Sequence, residues 1–268
     1  MLRGIYTAES GMLTAIRDIN VKGNNLANLS TAGFKQDRLV TTTFAEALAV
    51  RQEIKTTGKK YELGYDAVRG RKALELKTDF TQGALQATNR HLDFALGGEG
   101  FFTIASRRVD EDGEELTYGG KYYTRNGQFQ IDPEGYLIDG QGNYVLDDGD
   151  SEIYVGRYDF IADEYGNLYT LEDRELIATL GIFNPSNPEI LIKSNEETFT
   201  ILGEDYEPDE ELEFTGKVLQ GYIERANTDI ASQMAGLITA SRHFQSLSQI
   251  VRAIDEAVGR SVSEIGRV

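Results

Sequence analysis

The chain of 268 residues contains no cysteine and no tryptophan, and only 2 histidines, 3 methionines and 4 prolines. Without cysteine there is no thiol nucleophile, no thiolate metal site and no disulfide, an absence that fits any redox compartment. His91 and His243 are isolated in sequence, cannot build a multi-histidine metal site, and read as packing or surface residues. Positive charge is scarce too. With 27 Lys and Arg against 44 Asp and Glu, the formal charge is -17 and the pI near 4.6, which disfavours nucleic acid and anionic lipid as partners. Long hydrophobic runs are missing: Thr7, Glu9, Ser10 and Thr14 interrupt the first fifteen residues, so neither a cleaved secretory signal nor a membrane span is expected. What is present is ordinary for a globular chain of one or two domains, 40% hydrophobic and 10% aromatic, with 28 Gly pointing to many turns.

The charge is unevenly spread. Residues 1–60 hold 9 basic and 5 acidic side chains, residues 221–268 hold 5 of each, and the middle carries -21. The hydrophobic period divides the chain in the same way. Leu2, Ile5, Met12, Ile16, Ile19 and Leu26 follow a 3/4 alternation broken only at Glu9 and Gly23, the pattern of an amphipathic helix. Ile230, Met234, Leu237, Phe244, Val251, Val258, Val262 and Ile265 repeat it at the other end, with Ser241, Ser248 and Asp255 as polar members. Ile238, Leu247, Ile250 and Ile254 widen that stripe beyond a bare seam. Asn227 is the expected N-cap of this second helix. A sustained heptad needs a partner along its length, and the two terminal helices are each other's obvious partner. The widened stripe implies apolar surface left over within one chain, to be covered by neighbouring copies. Small residues such as Ala8, Ala15, Ala231, Ala235 and Gly236 allow close approach.

Between the helices the period becomes two, with Leu74, Leu76, Phe80, Leu92, Phe94, Leu96, Phe101, Phe102 and Ile104 in short runs bounded by Gly and Asn, followed by Tyr118 to Thr124. Asp132-Pro133-Glu134-Gly135 supplies a turn between Phe129–Ile131 and Tyr136–Ile138, and similar turns recur at Asp139–Asn143 and Asp163–Asn167. Such spacing predicts a compact antiparallel β-domain, followed by a solvated acidic loop at Gly203–Glu213.

Paired carboxylates are the only catalytic possibility that this composition leaves. The pairs Asp110/Asp112, Asp147/Asp148 and Asp163/Glu164 lie in turns where solvated acids are expected in any case. Asp110 to Gly113 starts like a calcium loop but lacks the closing Glu and flanking helices. Gly97-Gly98-Glu99-Gly100 lacks the Lys-Ser/Thr and the helix of a phosphate loop. Neither a cofactor nor a metal is expected.

The segment closing the first helix, Asn24-Asn25-Leu26-Ala27-Asn28-Leu29-Ser30-Thr31-Ala32-Gly33-Phe34-Lys35, closely resembles the N-terminal signature of the bacterial flagellar rod and hook family. Three further stretches are similar to that family's motifs: Leu92–Phe102, Tyr123–Phe129 with Asp132 and Gly135–Leu137, and Leu219–Asn227 followed by Met234, Leu237, Ile238 and Arg242. In physical terms, the Asn residues suit the place where a helix stops, Gly33 permits a positive φ, and Phe34 anchors the departing chain.

The resemblance implies an α+β fold with paired long N- and C-terminal helices, a coiled-coil layer, flanking a central mostly antiparallel β-domain. The expected division is a discontinuous helical assembly domain at 1–35 and 225–268, connecting extended or β regions at 36–75 and 203–224, and a central β-domain at 76–202. It also implies a structural subunit with no enzymatic activity, assembling helically into the hollow shaft between motor and hook, with the β-domains outward. Implied partners are further copies of the chain, other rod and hook proteins and the flagellar type III export apparatus. Nucleic acid and direct membrane insertion are not among them. Localisation would be the basal body, without a cleaved signal. The expected assembly interface is Leu2, Ile5, Met12, Ile16, Ile19, Leu26, Ile230, Met234, Leu237, Phe244, Val251 and Val258; the motif carries over onto Asn24, Asn25, Leu26, Ala27, Asn28, Thr31, Gly33, Phe34 and Lys35. Length, and the stretch Val40 to Leu74, favour a rod type with a single β-domain, closer to the proximal-to-middle than to the distal rod. A hook or hook-junction subunit is the alternative within the family. A secreted β-sandwich that binds or hydrolyses glycans through its acidic turns is the alternative outside it.

Overall fold

The computed structural model describes residues 2–41, 74–106, 120–156, 159–201 and 212–265. Most of Gly203–Glu213, the turn at Asp110–Gly113 and all but the ends of Val40–Leu74 lie outside the described residues. Contacts divide the chain into two compact units. One comprises Met1–Ala27, Asp37–Asp79 and Asp229–Val268; the other comprises Asn28–Gln36 and Phe80–Thr228. The fold is α+β, with a helix at each end of a mostly antiparallel strand region. Among the described residues no helix is long and apolar enough to cross a membrane.

The first unit holds helix α1, Leu2–Ala27, and helix α2, Ile230–Ile265. At 36 residues α2 is about 54 Å long. The helices run antiparallel: Gly11 faces Leu247, Gly236 faces the Lys22 stem, and Asn25 lies beside Gln233. Buried Ala8 and Ala15 alternate with half-buried Ile5, Met12, Ile19 and Leu26 along α1. On α2 the matching row is Gln233, Leu237, Ala240, Phe244, Leu247, Val251, Ile254 and Val258. Both rows keep the 3/4 spacing, but their phase differs from the sequence expectation. Ile16, Ile230 and Met234 stand off the seam, and Ala15, Gln233 and Ala240 occupy it. Likewise Ala240, Leu247 and Ile254, not Ser241, Ser248 and Asp255, fill the alternate positions. Small side chains let the axes approach, which larger ones at those positions would prevent.

The N-cap of α2 is Asp229, not Asn227 as expected: its carboxylate accepts the Ser232 N–H at 2.9 Å and its carbonyl accepts the Gln233 N–H at 3.1 Å. An antiparallel ribbon of Asp37–Thr41 and Leu74–Thr78 completes the unit, pairing Leu39 with Leu76 and Arg38 with Lys77.

Every strand pairing among the described residues of the second unit is antiparallel. Its main sheet runs in the spatial order Leu191–Lys193, Thr198–Ile201, Lys121–Thr124, Phe101–Ala105, Tyr144–Val145, Leu137–Ile138 and Gln130–Ile131, with Ile182–Phe183 also pairing on Phe101–Ala105. A three-stranded sheet of Phe160–Ala162, Asn167–Thr170 and Leu176–Thr179 lies beside two short pairs. These join Lys217–Gln220 to Phe94–Gly97, and Tyr222–Glu224 to Leu85–Ala87. Phe94, Phe102, Ile104, Phe129, Leu137, Val145 and Leu168 form one core, and Phe101, Tyr123, Phe183, Leu191 and Phe199 a second. Full burial of each such side chain is worth roughly 1.5–3 kcal/mol. The hairpin turns share one device. Asp132 Oδ1 accepts the N–H groups of Glu134, Gly135 and Tyr136, and Asp139, Asp147 and Asp163 each accept backbone N–H groups two to four residues on.

Candidate assembly site

Two places gather the residues that the sequence marks: a face of the α1–α2 pair and the elbow that follows α1. On the helix pair, Leu13 and Ile16 are 40% exposed, and Ile230, Met234 and Ile238 are 48–52% exposed. At 100° per residue, Leu13 and Ile16 fall on the same flank of the α1 seam, and Ile230, Met234 and Ile238 on the corresponding flank of α2. Because the helices are antiparallel, these two flanks turn toward the same side. The opposite side carries Thr7, Thr14, Asp18, Thr239 and His243. The side that holds Leu13 and Met234 thus exposes five large apolar side chains, interleaved with the polar Glu9, Asn20 and Ser241, while Ile250, 49% exposed, lies on the other side. Of the expected interface residues, Ile5, Met12, Ile19, Leu26, Leu237, Phe244, Val251 and Val258 are half-buried between the helices. Ile16, Ile230 and Met234 lie on the open face, and Leu2 is in the first turn of α1, its side chain outside the described residues.

At the end of α1, Asn25 is 1% exposed and uses its side chain as a short stretch of strand. It donates Nδ2 to the Asp37 carbonyl at 2.8 Å and accepts the Asp37 N–H at 3.0 Å. Thr78 Oγ1 donates to the Asp37 carboxylate at 2.8 Å. Asn24 and Ala27 are exposed and Leu26 is half-buried. The chain then turns: Thr31 N–H donates to the Asn28 carbonyl at 3.2 Å, and Gly33 adopts φ +69°. A Cβ at Gly33 would sit 2.3 Å from the Arg125 carbonyl carbon, so both the φ and the close approach require glycine.

Beyond the turn, Phe34 is 1% exposed and Lys35 is 0% exposed. Lys35 Nζ donates to Glu224 Oε1 at 2.6 Å and to the Thr81 carbonyl at 2.9 Å. Glu224 also accepts the Gly83 N–H at 2.7 Å and Arg125 Nη1 at 3.2 Å, while its own carbonyl accepts the Gly33 N–H at 2.8 Å. Arg125 Nη2 donates to the Gly98 carbonyl at 2.8 Å, and its guanidinium lies 5.2 Å from the Phe101 ring centroid. Burial pulls the Arg125 pKa below its ordinary value, opposed by Glu224 and more weakly by Glu99. Lys193 closes the other side, over the Phe34 ring at 4.3 Å and bonded to the Lys35 carbonyl at 2.7 Å. Asn227 accepts the Gln36 N–H at 2.8 Å and donates to Thr81, which explains why it does not cap α2. Three of the family-like stretches thus meet at one buried carboxylate.

The sequence pointed to Lys35 through its motif, but it gave no sign that Arg125 and Glu224 face it. These partners lie 90 and 189 positions away, and their types are common on any surface. A basic, a basic and an acidic residue, each beside a glycine-containing motif, was the only available signal.

The acidic turns have structural duties. Asp147 accepts the Ser151 N–H at 2.7 Å. Burial works to raise the pKa of Asp163, but hydrogen bonds from Asn167, Tyr165 and Tyr169 outweigh it and hold the carboxyl below its ordinary value. A general acid for glycoside hydrolysis needs the opposite shift. His91 and His243 are both exposed.

Comparison with known proteins covers the same ground. The family described as "Flagella basal body rod protein" matches residues 5–35, "Flagellar hook protein FlgE/F/G D1 domain" matches 95–202, and "Flagellar basal body rod FlgEFG protein C-terminal" matches 219–263. The flagellar basal-body rod protein FlgG of Bacillus subtilis is 29% identical, over 98% of this chain and 99% of its own length. FlgG of Borreliella burgdorferi is 27% identical over 97% of each chain, and the rod protein FlgF of Caulobacter vibrioides is 24% identical over 100% of each.

Proposed function

The chain belongs to the flagellar basal-body rod family and is a structural subunit of that rod, and from this premise we propose how it assembles. The observation that carries the proposal is the group of exposed apolar side chains Leu13, Ile16, Ile230, Met234 and Ile238 on one side of the helix pair. A neighbouring copy covers this face, so that α1 and α2 become part of a continuous coiled-coil layer. Contacts between unlike surfaces that do not close into a ring extend as a helix, and copies stack into a hollow shaft. The seam residues Met12, Leu237, Phe244 and Val251 build the hairpin, and Ile16, Ile230 and Met234 join hairpins. The elbow motif from Asn24 to Lys35 fixes the point where each hairpin begins. The subunit sits in the basal body among other rod and hook components, and it leaves the cell through the flagellar type III export apparatus. The relatives reported above are rod proteins, so the hook reading is not favoured; the family is structural, and Asp163 is held below its ordinary pKa, the opposite of what a glycoside-hydrolysing general acid needs.

Purified basal bodies from cells whose own copy is tagged should show the tag between motor and hook. Met234→Asp places a charge on the open face without touching the seam. We expect rod incorporation and swimming to be lost while the urea midpoint of the β unit is unchanged. Normal rods built from the Met234→Asp chain would sink the assignment of this face.

A further inference from the structure

Lys35, Arg125 and Glu224 form a group of two cations and one anion with 0–4% exposure. Burial of charge is costly, and apolar side chains of the same volume generally hold such a site as well or better. Phe34 anchors the elbow by burial, which has no preferred direction, and the backbone is bonded at Gly33, Lys35 and Gln36, so the Lys35 side chain is one directional contact on top of these. We propose that Lys35 is a positioning residue: it does not strengthen the β unit but sets the direction in which the elbow Asn28–Gln36 lies across it.

Three features support this. Lys35 Nζ bonds two separate segments at once, Glu224 and the Thr81 carbonyl, which fixes the side chain against rotation about Phe34. Glu224 has a second cation in Arg125, so its charge stays compensated if Lys35 is lost. The ion pair between Lys35 and Glu224 at 2.6 Å also adds a side-chain link, off the backbone line, to the segments that the Gly33 N–H already joins to the Glu224 carbonyl. Removing Lys35 should therefore cost direction, whereas removing Glu224 should cost stability, because it strands two buried cations.

The test uses the unassembled full chain, so it stands or falls separately from the rod reading. Since the protein has no cysteine, Ser30→Cys and Glu172→Cys accept spin labels uniquely at two exposed positions of the same unit. Electron–electron distance measurement on this pair should give a single narrow peak. Lys35→Met should broaden or split that peak while shifting the Tm of the β unit by less than about 4 °C, and Lys35→Arg should restore the narrow peak. Glu224→Met should lower the Tm by roughly 10 °C. A narrow peak in Lys35→Met overturns the proposal. So does a fall in Tm, or a failure to fold, comparable with that of Glu224→Met, since either outcome makes Lys35 a stabilising residue.

Discussion

Phe102 and Ile16 are both large apolar side chains in regular elements, yet Phe102 has no exposed surface and Ile16 keeps 40% of its own. The difference extends to the units that hold them. The β unit closes two aromatic cores within a single chain and satisfies its turns with Asp side chains. The helical unit sets small Ala8, Ala15 and Ala240 among half-buried Met12, Leu237, Phe244 and Leu247 on its seam, and leaves Leu13, Ile16, Ile230, Met234 and Ile238 exposed. On the proposed assembly, the β unit closes its cores within one chain, whereas the exposed apolar side chains of the helical unit are covered by neighbours. Charge follows the same division, since the strongly acidic middle of the sequence supplies most of the β unit and the near-neutral ends supply the helices. On the proposed assembly, the surfaces that meet other copies would carry little like charge and repel one another weakly.

The largest expected effect breaks this comparison directly. Phe102→Ala should destabilise the β unit by about 3–5 kcal/mol, read from urea denaturation followed by tyrosine near-ultraviolet dichroism. Ile16→Ala should cost the free chain much less, about 1 kcal/mol, because 40% of the residue is already exposed and alanine is the better helix former. Equal losses would mean that the face around Ile16 is covered within one chain.

This contrast also explains what was legible in the sequence. The Asp-Pro-Glu-Gly hairpin, the positive φ of Gly33 and the burial of Phe34 follow from local chemistry, and all three are present. The existence and extent of both helices were equally clear. Their phase was not, because a hydrophobicity count ranks Ile16 and Met234 above Ala15 and Ala240, whereas close antiparallel packing selects for size. Asn227 looked like a cap because it precedes a helix, and its partners Gln36 and Thr81 are distant in sequence. Glu224 as the hub of the elbow depends wholly on tertiary pairing, for which one sequence holds no signal.

A smaller effect concerns the acidic turns. Asp163 is held below its ordinary carboxyl pKa, so its contribution is fully present above the unfolded value near 3.9 and is lost as pH falls through the folded one. Asp163→Asn keeps an acceptor for the Tyr165 and Asn167 N–H groups but cannot titrate. The urea midpoint of the wild type should therefore fall more steeply below about pH 4 than that of Asp163→Asn. At pH 7 the variant should be slightly the less stable of the two. Parallel pH profiles would show that the turn carboxylate is a solvated charge without a structural duty.

The smallest effect separates seam from flank on a single helix. Glycine inside a helix costs about 1 kcal/mol relative to alanine, and α1 contains both Gly11 and Gly23. A Cβ at Gly23 would meet nothing within 4 Å, so Gly23→Ala should recover most of that amount in the free chain, measured as helical ellipticity against temperature. A Cβ at Gly11 would lie 2.9 Å from Leu247 Cδ1, and the leucine must shift to admit it. Gly11→Ala should consequently gain less, by roughly 0.5 kcal/mol, as the propensity term and the packing term oppose each other. Equal gains at the two sites would place Gly11 outside the seam and contradict the antiparallel register of α1 on α2. Unequal gains of the expected sign would fix that register by a measurement that needs no assembled rod.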